Sequence, residues 1–213
     1  MHGTTHQEDL GLFQTIEERH SVRKYEADYK MPEEDLTAIL EAAALAPSSW
    51  NLQHWRFLVI EDAKKKEELL PIAYNQKQVV ESCVTIAVLG DVEANKEAEN
   101  VYGEAVEKGF MTEQIKDTLV SQINRAYEKD PAYPRELALT NASLAAMQLM
   151  LAAKAKGYDT CPMGGFNEEA FIKAFNIPDR FTPVMLITLG KAAIPAHRSS
   201  RKPLEELTIK NSF

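Results

Sequence analysis

Residues 134–156 read PRELALTNASLAAMQLMLAAKAK, and Gly157 follows. Proline suits the first turn of a helix, where its missing N–H is not needed, and glycine suits the turn that ends one. The stretch therefore predicts the most definite helix of the chain. Leu137, Leu144, Ala145, Met147 and Leu151, with Asn141 and Gln148 among them, populate more than one of its faces. A helix apolar nearly all round lies centrally in a core or in a subunit interface. The pattern leaves both open, along with an ordinary core helix of one subunit.

Working outward, three apolar, β-prone runs predict strands at Trp55–Glu61, Val84–Leu89 and Val184–Gly190, the last interior because it is almost continuously apolar. Leu12–Arg19 predicts a first helix. Pro32 opens a second, with Glu33, Glu34 and Asp35 in the first turn, where the helix dipole favours acids, and Pro47 stops it. Ala63–Ala73 predicts a third, ending in a turn at Tyr74-Asn75, and Asn167 caps a short one over Glu168–Phe175. Thr160–Phe166 reads as a Pro/Gly loop. Residues 93–130 are polar, charged and helical in pattern, broken near Gly109, and predict an outer helical cover. Strands scattered among helices without regular βαβ spacing give an α+β class, as one domain over residues 1–213 with residues 1–10 a flexible terminus.

Lys plus Arg number 24 against 32 Asp plus Glu, a net charge of −8. That balance argues against nucleic acid or an anionic membrane as partner and gives weight to any local basic cluster. No apolar run approaches the roughly 18–20 residues of a bilayer span, and Met1–Leu10 lacks the apolar core of a signal peptide, so a cytoplasmic location is expected. Cys83, beside an apolar run, reads as a small core residue. Cys161 falls in the Pro/Gly turn, and the pair is expected to be reduced. The five histidines show no ligand spacing, so no metal is expected, and His2 and His6 belong to the flexible terminus. Neither GxGxxG after a strand nor a GxxxxGK[ST] occurs, which disfavours a Rossmann site or a P-loop.

Four segments carry candidate chemistry. In the extended stretch Arg19-His20-Ser21-Val22-Arg23-Lys24-Tyr25, residues 19, 21 and 23 share a face, and two guanidinium forks around a hydroxyl suit a phosphate. Ala46-Pro47-Ser48-Ser49-Trp50-Asn51-Leu52-Gln53-His54-Trp55 offers uncharged donors and acceptors of the kind that read a heterocycle edge. Paired glycines in Cys161-Pro162-Met163-Gly164-Gly165-Phe166 allow backbone to approach a flat ligand. His197-Arg198-Ser199-Ser200-Arg201-Lys202 is a basic tail in an acidic chain. It is either a solvated end or the other half of the phosphate site begun by Arg19 and Arg23.

Taken in this order, from Ile16 to Leu207, the segments resemble the FMN-dependent nitroreductase family. Its R-[RH]-S-x-R-x-[FY] opening is matched at 19–25, its A-P-S-x-x-N-x-Q-P-W at 46–55, its Asn/Gln-rich segment at Asn75-Gln76-Lys77-Gln78, its P-x-x-G loop at 162–165 and its basic closing motif at 200–204. One departure is His54, where proline is usual. The resemblance implies a sandwich of helices on a central, mostly antiparallel sheet, as an intertwined homodimer with FMN sites in the interface. It implies that Arg19, His20, Ser21 and Arg201 hold the phosphate end, with Arg198 a weaker candidate. Arg23 would face the pyrimidine edge, where positive charge stabilises the reduced flavin. Asn75 and Gln78 would bond the pyrimidine, while Pro162, Met163, Gly164 and Gly165 would lie along the ring with a glycine N–H toward N5. Pro47, Ser48, Ser49 and Asn51 would reach the flavin held mainly by the other subunit. No side chain need act as acid or base. NAD(P)H, the co-substrate, would give hydride to flavin N5, and a nitroaromatic, quinone or similar acceptor would take it in a ping-pong cycle. A flavin-storage or regulatory protein without turnover is the alternative. Nothing in the residues chooses NADH over NADPH, and Tyr102, Phe110 and Tyr127 are candidates for lining the acceptor pocket or for core.

Overall fold

The computed structural model describes residues 11–213; the segment expected to be a flexible terminus, with His2 and His6, lies outside the described residues. Helices α1 (Leu12–Glu18) and α2 (Glu33–Ala44) lead to β1 (Trp55–Ile60), and α3 (Ala63–Ile72) and the single turn α4 (Gln78–Glu81) lead to β2 (Val84–Asp91). Next come α5 (Ala98–Glu107), α6 (Glu113–Lys129) and the long α7 (Tyr133–Ala155). The chain closes with β3 (Asp159–Met163), α8 (Glu168–Phe175), β4 (Phe181–Gly190) and the one-turn α9 (Leu204–Leu207).

The four strands run in the order β1-β2-β4-β3, every neighbour antiparallel. All of β2 is buried because both faces of the sheet are covered. Val84, Ile86 and Val88 point to the side of α2 and α7, with Ile39, Ala142 and Leu149. Ala87 and Leu89 point the other way, against Leu69, Val79 and Phe171. Expected caps are in place: Asn167 accepts from the Ala170 N–H at 3.0 Å, and Gly157 turns out of α7 at φ +76°. The break between α5 and α6 falls at Gly109, with φ +74°.

Two expectations fail, each for a physical reason. Asp159–Met163 is a strand and not a loop, so Cys161 is buried in β3 and not set in a turn. Proline is tolerated there because β3 is the edge strand of the sheet, its outer side touched only at Thr160 by the Ser21–Val22 stretch. β4 begins three residues ahead of Val184, at Phe181, because a bulge opposite Val88/Leu89 absorbs Val184 and admits Pro183. Both cysteines are free.

The 23 residues of α7 meet the length and hydropathy test for a bilayer span, which the linear reading missed. Its small residues Ala138, Ala142, Ala145 and Ala146 are buried against the sheet, and Asn141 is buried with them. The approach is close. A Cβ on Gly90 of β2 would stand 2.9 Å from the Ala138 carbonyl oxygen.

Gly90→Ala is therefore expected to lower unfolding stability by about 1–3 kcal/mol in urea titration, since neither backbone can yield freely. Gly164→Ala, whose Cβ would meet nothing within 4 Å, should stay within about 0.5 kcal/mol.

Candidate functional site

The first part of the site is a basic cleft. The chain leaves α1 at Arg19 and runs extended across the ends of β3 and β4. The Val22 N–H donates to Thr160 O at 3.0 Å, Ser21 bridges Thr160, and Tyr25 bridges Ala192. The Tyr25 hydroxyl donates to Thr188 O at 3.1 Å, and its buried ring and the Val22 side chain hold the stretch down. Arg19, Ser21 and Arg23 are left lining a cleft of about 470 Å³, closed from the other side by His197, Ser199 and Arg201 of the tail. Residues 19–24 and 194–201, far apart in the chain, meet here. Among the described residues none of these arginines has a carboxylate partner; Arg201 donates only to Ser199 Oγ (2.7 Å) and to the Ser199 and Ser200 carbonyls. Their charge reaches β3. Burial pushes the Cys161 thiol up, and Arg23 and Arg19 pull it back. Arg198 lies instead on an adjoining cleft of about 730 Å³, with Glu17, Glu18 and Lys154, and His20 lines both.

β3 connects this cleft to the second part. From Thr160, bridged to Ser21, it runs to Gly164 and Gly165, about 17 Å along an extended chain. Both glycines are exposed. A Cβ on Gly165 would meet only Gln76 Nε2, at 3.6 Å. That amide donates to Gly165 O at 2.8 Å and to Ala73 O at 3.1 Å, joining the glycine loop to the turn at Tyr74 and Asn75, both at positive φ. Asn75 is exposed beside it. Gln78 and Met163 are buried, and the Gln78 amide donates to Met163 Sδ and Gln76 Oε1. These two therefore support the loop from beneath. Gln76 lay inside the quoted motif, but only the fold shows that it is the bridge.

The third part is the turn between α2 and β1. Trp50, Asn51 and Gln53 all take positive φ, between 50° and 56°. The Gln53 N–H donates to Ser48 Oγ at 2.9 Å, and the Ser49 N–H to Asn141 Oδ1 of α7 at 2.8 Å. The Tyr102 hydroxyl of α5 donates to Trp50 O at 3.1 Å. His54 is fully buried, its Nε2 2.9 Å from the Tyr127 hydroxyl of α6. Pro47 and Asn51 are exposed on the turn, whereas Tyr127 is core and Phe110 stands in solvent. Sequence reasoning missed Asn141 as a support. A polar residue at a helical core position was its one signal. The turn precedes β1 and the basic cleft lies by β3, so the two occupy opposite edges of the sheet.

Comparison with known proteins gives a consistent picture. The model of the Nitroreductase family matches residues 16–191. YodC of Bacillus subtilis strain 168, provisionally named an NAD(P)H nitroreductase, is 53% identical over 193 residues, 91% of this chain and 95% of its own. A chain from Exiguobacterium sibiricum 255-15, provisionally named a nitroreductase and crystallised in complex with FMN, is 42% identical with a TM-score of 0.88. The match covers 96% of this chain and 99% of that one. A Staphylococcus epidermidis chain, provisionally named an NAD(P)H:FMN oxidoreductase, is 35% identical with a TM-score of 0.90, over 97% and 99% of the two chains.

Burial pushes the His54 imidazole down from 6.5 to about 4, with the charge of Asp91 pulling the other way. The unfolded chain takes up this proton near 6.5 and the folded chain only near 4, so stability is lost as pH falls through that interval. The melting temperature is expected to drop across the same interval, and less steeply in His54→Gln, as read by circular dichroism.

Proposed function

The chain belongs to the nitroreductase family, and from that premise we propose that it works as a homodimeric FMN oxidoreductase. It would pass hydride from NAD(P)H to a nitroaromatic, quinone or similar small acceptor. The observation that carries the reading is the set of arginines 19, 23 and 201, which share one cleft without a carboxylate partner among the described residues, in a protein of net charge −8. Such a cluster is costly unless an anion neutralises it.

The residues fit FMN. A phosphate suits the guanidinium forks of Arg19 and Arg201 with the Ser21 hydroxyl between them. A flat ring suits the exposed Gly164 and Gly165, where Gly164 has open space around it and only the Gln76 amide stands near Gly165. Arg23, on the same cleft, would be the cation that acts on the ring electrostatically, and Asn75 is the exposed amide beside the glycine loop. Bound FMN would supply two-electron redox chemistry between NAD(P)H and the acceptor. The protein's own share is to grip the phosphate, offer backbone N–H groups along β3 and its glycines, and leave one open place that both reactants use in turn.

The dimer rests on two features. Leu12, Phe13 and Ile16 of α1 and Leu144 and Met147 of α7 are exposed on helices that pack together, an apolar face suited to a second copy. The turn bearing Ser48, Ser49 and Asn51 lies at the sheet edge away from the basic cleft of its own chain, so it would serve the partner's flavin. The free thiols of Cys83 and Cys161 support a reducing, cytoplasmic setting.

The test is an absorbance spectrum of the pure protein with added FMN, then anaerobic titration with NADH and with NADPH. Bound flavin that bleaches supports the proposal. A preparation that binds no flavin overturns it, and flavin that binds but never bleaches moves the reading to storage. Arg19→Gln is expected to weaken FMN binding about tenfold or more, the loss of one charge-assisted contact, in fluorescence titration of the apoprotein.

A further inference from the structure

Positive φ is disfavoured for any residue with a Cβ, and persists only where the surroundings over-determine it. Trp50, Asn51 and Gln53 all adopt it within one turn, and none is glycine. Three helices hold that turn. α7 grips Ser49 through Asn141, α5 grips the Trp50 carbonyl through Tyr102, and α6 grips the end of the turn through Tyr127 and His54. The last grip closes a circuit. The Tyr127 ring meets Tyr133 edge-on at 6.1 Å and 83°, and Tyr133 meets Trp50 at 6.4 Å and 72°. Base and apex of the turn are thus clasped by the same two tyrosines.

His54 has no access to a reactant. It is 0% exposed and Tyr127 only 8%. Among the described residues its buried Nδ1 has no hydrogen-bond partner. Burying a half-satisfied imidazole is unfavourable, and an apolar side chain would fill the same space more favourably if packing were all that was needed. What the imidazole adds is the directed bond from Nε2 to a hydroxyl on the cover.

We propose that the His54–Tyr127 hydrogen bond is the pin through which the helical cover holds the Ser48–Gln53 turn in its flavin-facing conformation. His54 and Tyr127 are then positioning residues for that site, acting through Ser48, Ser49 and Asn51. The proposal rests on the flavin reading above. It makes the cover and the turn one cooperative unit: loosening α6 loosens the turn.

Tyr127→Phe removes the hydroxyl and keeps the ring that touches Tyr133. Hydrogen exchange of the flavin-free protein should show amides 49–54 and those of α6 opening together, about fivefold faster, with exchange in the sheet unchanged. FMN dissociation constants from fluorescence titration should rise about fivefold. His54→Phe should behave alike, and His54→Gln, whose amide nitrogen can stand where Nε2 does, should recover most of the effect. Unchanged exchange at 49–54 in Tyr127→Phe and His54→Phe overturns the pin, as does acceleration spread evenly over the whole chain. An unchanged FMN affinity overturns the positioning role. A wild-type protein that binds no FMN, with the coupled exchange still seen, overturns the flavin reading and leaves a structural coupling only.

Discussion

The carboxylate of Asp91 is 1% exposed at the end of β2, and the arrangement around it follows from the need to satisfy that charge. A buried carboxylate without a partner is one of the most costly features a fold can contain. Arg180 meets it with two bonds, 2.8 Å and 2.6 Å, in the planar fork geometry that only arginine supplies. The remaining contacts fix the chain around the pair. The Asp91 N–H donates to His54 O at 2.7 Å, which sets where β1 begins, and the Glu93 N–H donates to Asp91 Oδ1 at 2.9 Å, which starts the cover. Arg180 also binds Glu97 at 2.8 Å, and this guanidinium holds the Glu97 carboxyl below its usual range. The start of the cover and the end of the 48–54 turn therefore hang from one ion pair. Neither is a free surface loop.

Set against this, the treatment of cations at the opposite edge of the sheet is informative. The protein has more acids than bases, and it neutralises Arg180 twice over. Among the described residues it gives Arg19, Arg23 and Arg201 no carboxylate partner. What sets the three apart is that they line one cleft together. The segment that carries Arg19 and Arg23 is firmly seated, since Val22 and Tyr25 are buried beneath it and the Tyr25 hydroxyl is tied to Thr188. A cation cluster that is both unpaired and preorganised is what anion recognition requires, because little ordering cost remains to be met on binding.

Much of this was legible in the sequence, where local chemistry dictates local structure. Pro134 and Gly157 bracket α7 closely, Asn167 caps α8 as expected, and the break at Gly109 falls at a positive-φ glycine. β3 was misread because Pro162 and two glycines look like a turn, and nothing local says that an edge position makes proline harmless. The site divides the same way. Residues 19–23 and 201 could be joined because each end is basic on its own account. Gln76, Asn141 and the Asp91–Arg180 pair act through partners distant in sequence, 89, 92 and 89 residues away, and no pattern in one chain announces such a pairing. Tyr127 was ambiguous for the opposite reason: an aromatic at helical spacing is usually core, and here it is core and tied to His54 as well.

The separation of the two candidate half-sites is what gives the proposed dimer a physical meaning. β1 and β3 lie three strand spacings apart, about 14 Å, with α7 packed on the sheet between them. No bending of a single chain brings Ser48 and Asn51 across that distance to Arg19 without breaking the β2–β4 ladder. In the proposed dimer, a strained turn fixed by three helices at the sheet edge opposite its own cleft would have a ligand to serve. Paired through the apolar faces of α1 and α7, two copies would each offer the turn that the other lacks. In that arrangement the energy that keeps Trp50, Asn51 and Gln53 at positive φ would be returned as preorganised donors at the neighbour's flavin. Association and cofactor binding would then favour one another, because each completes a surface that the other leaves unfinished.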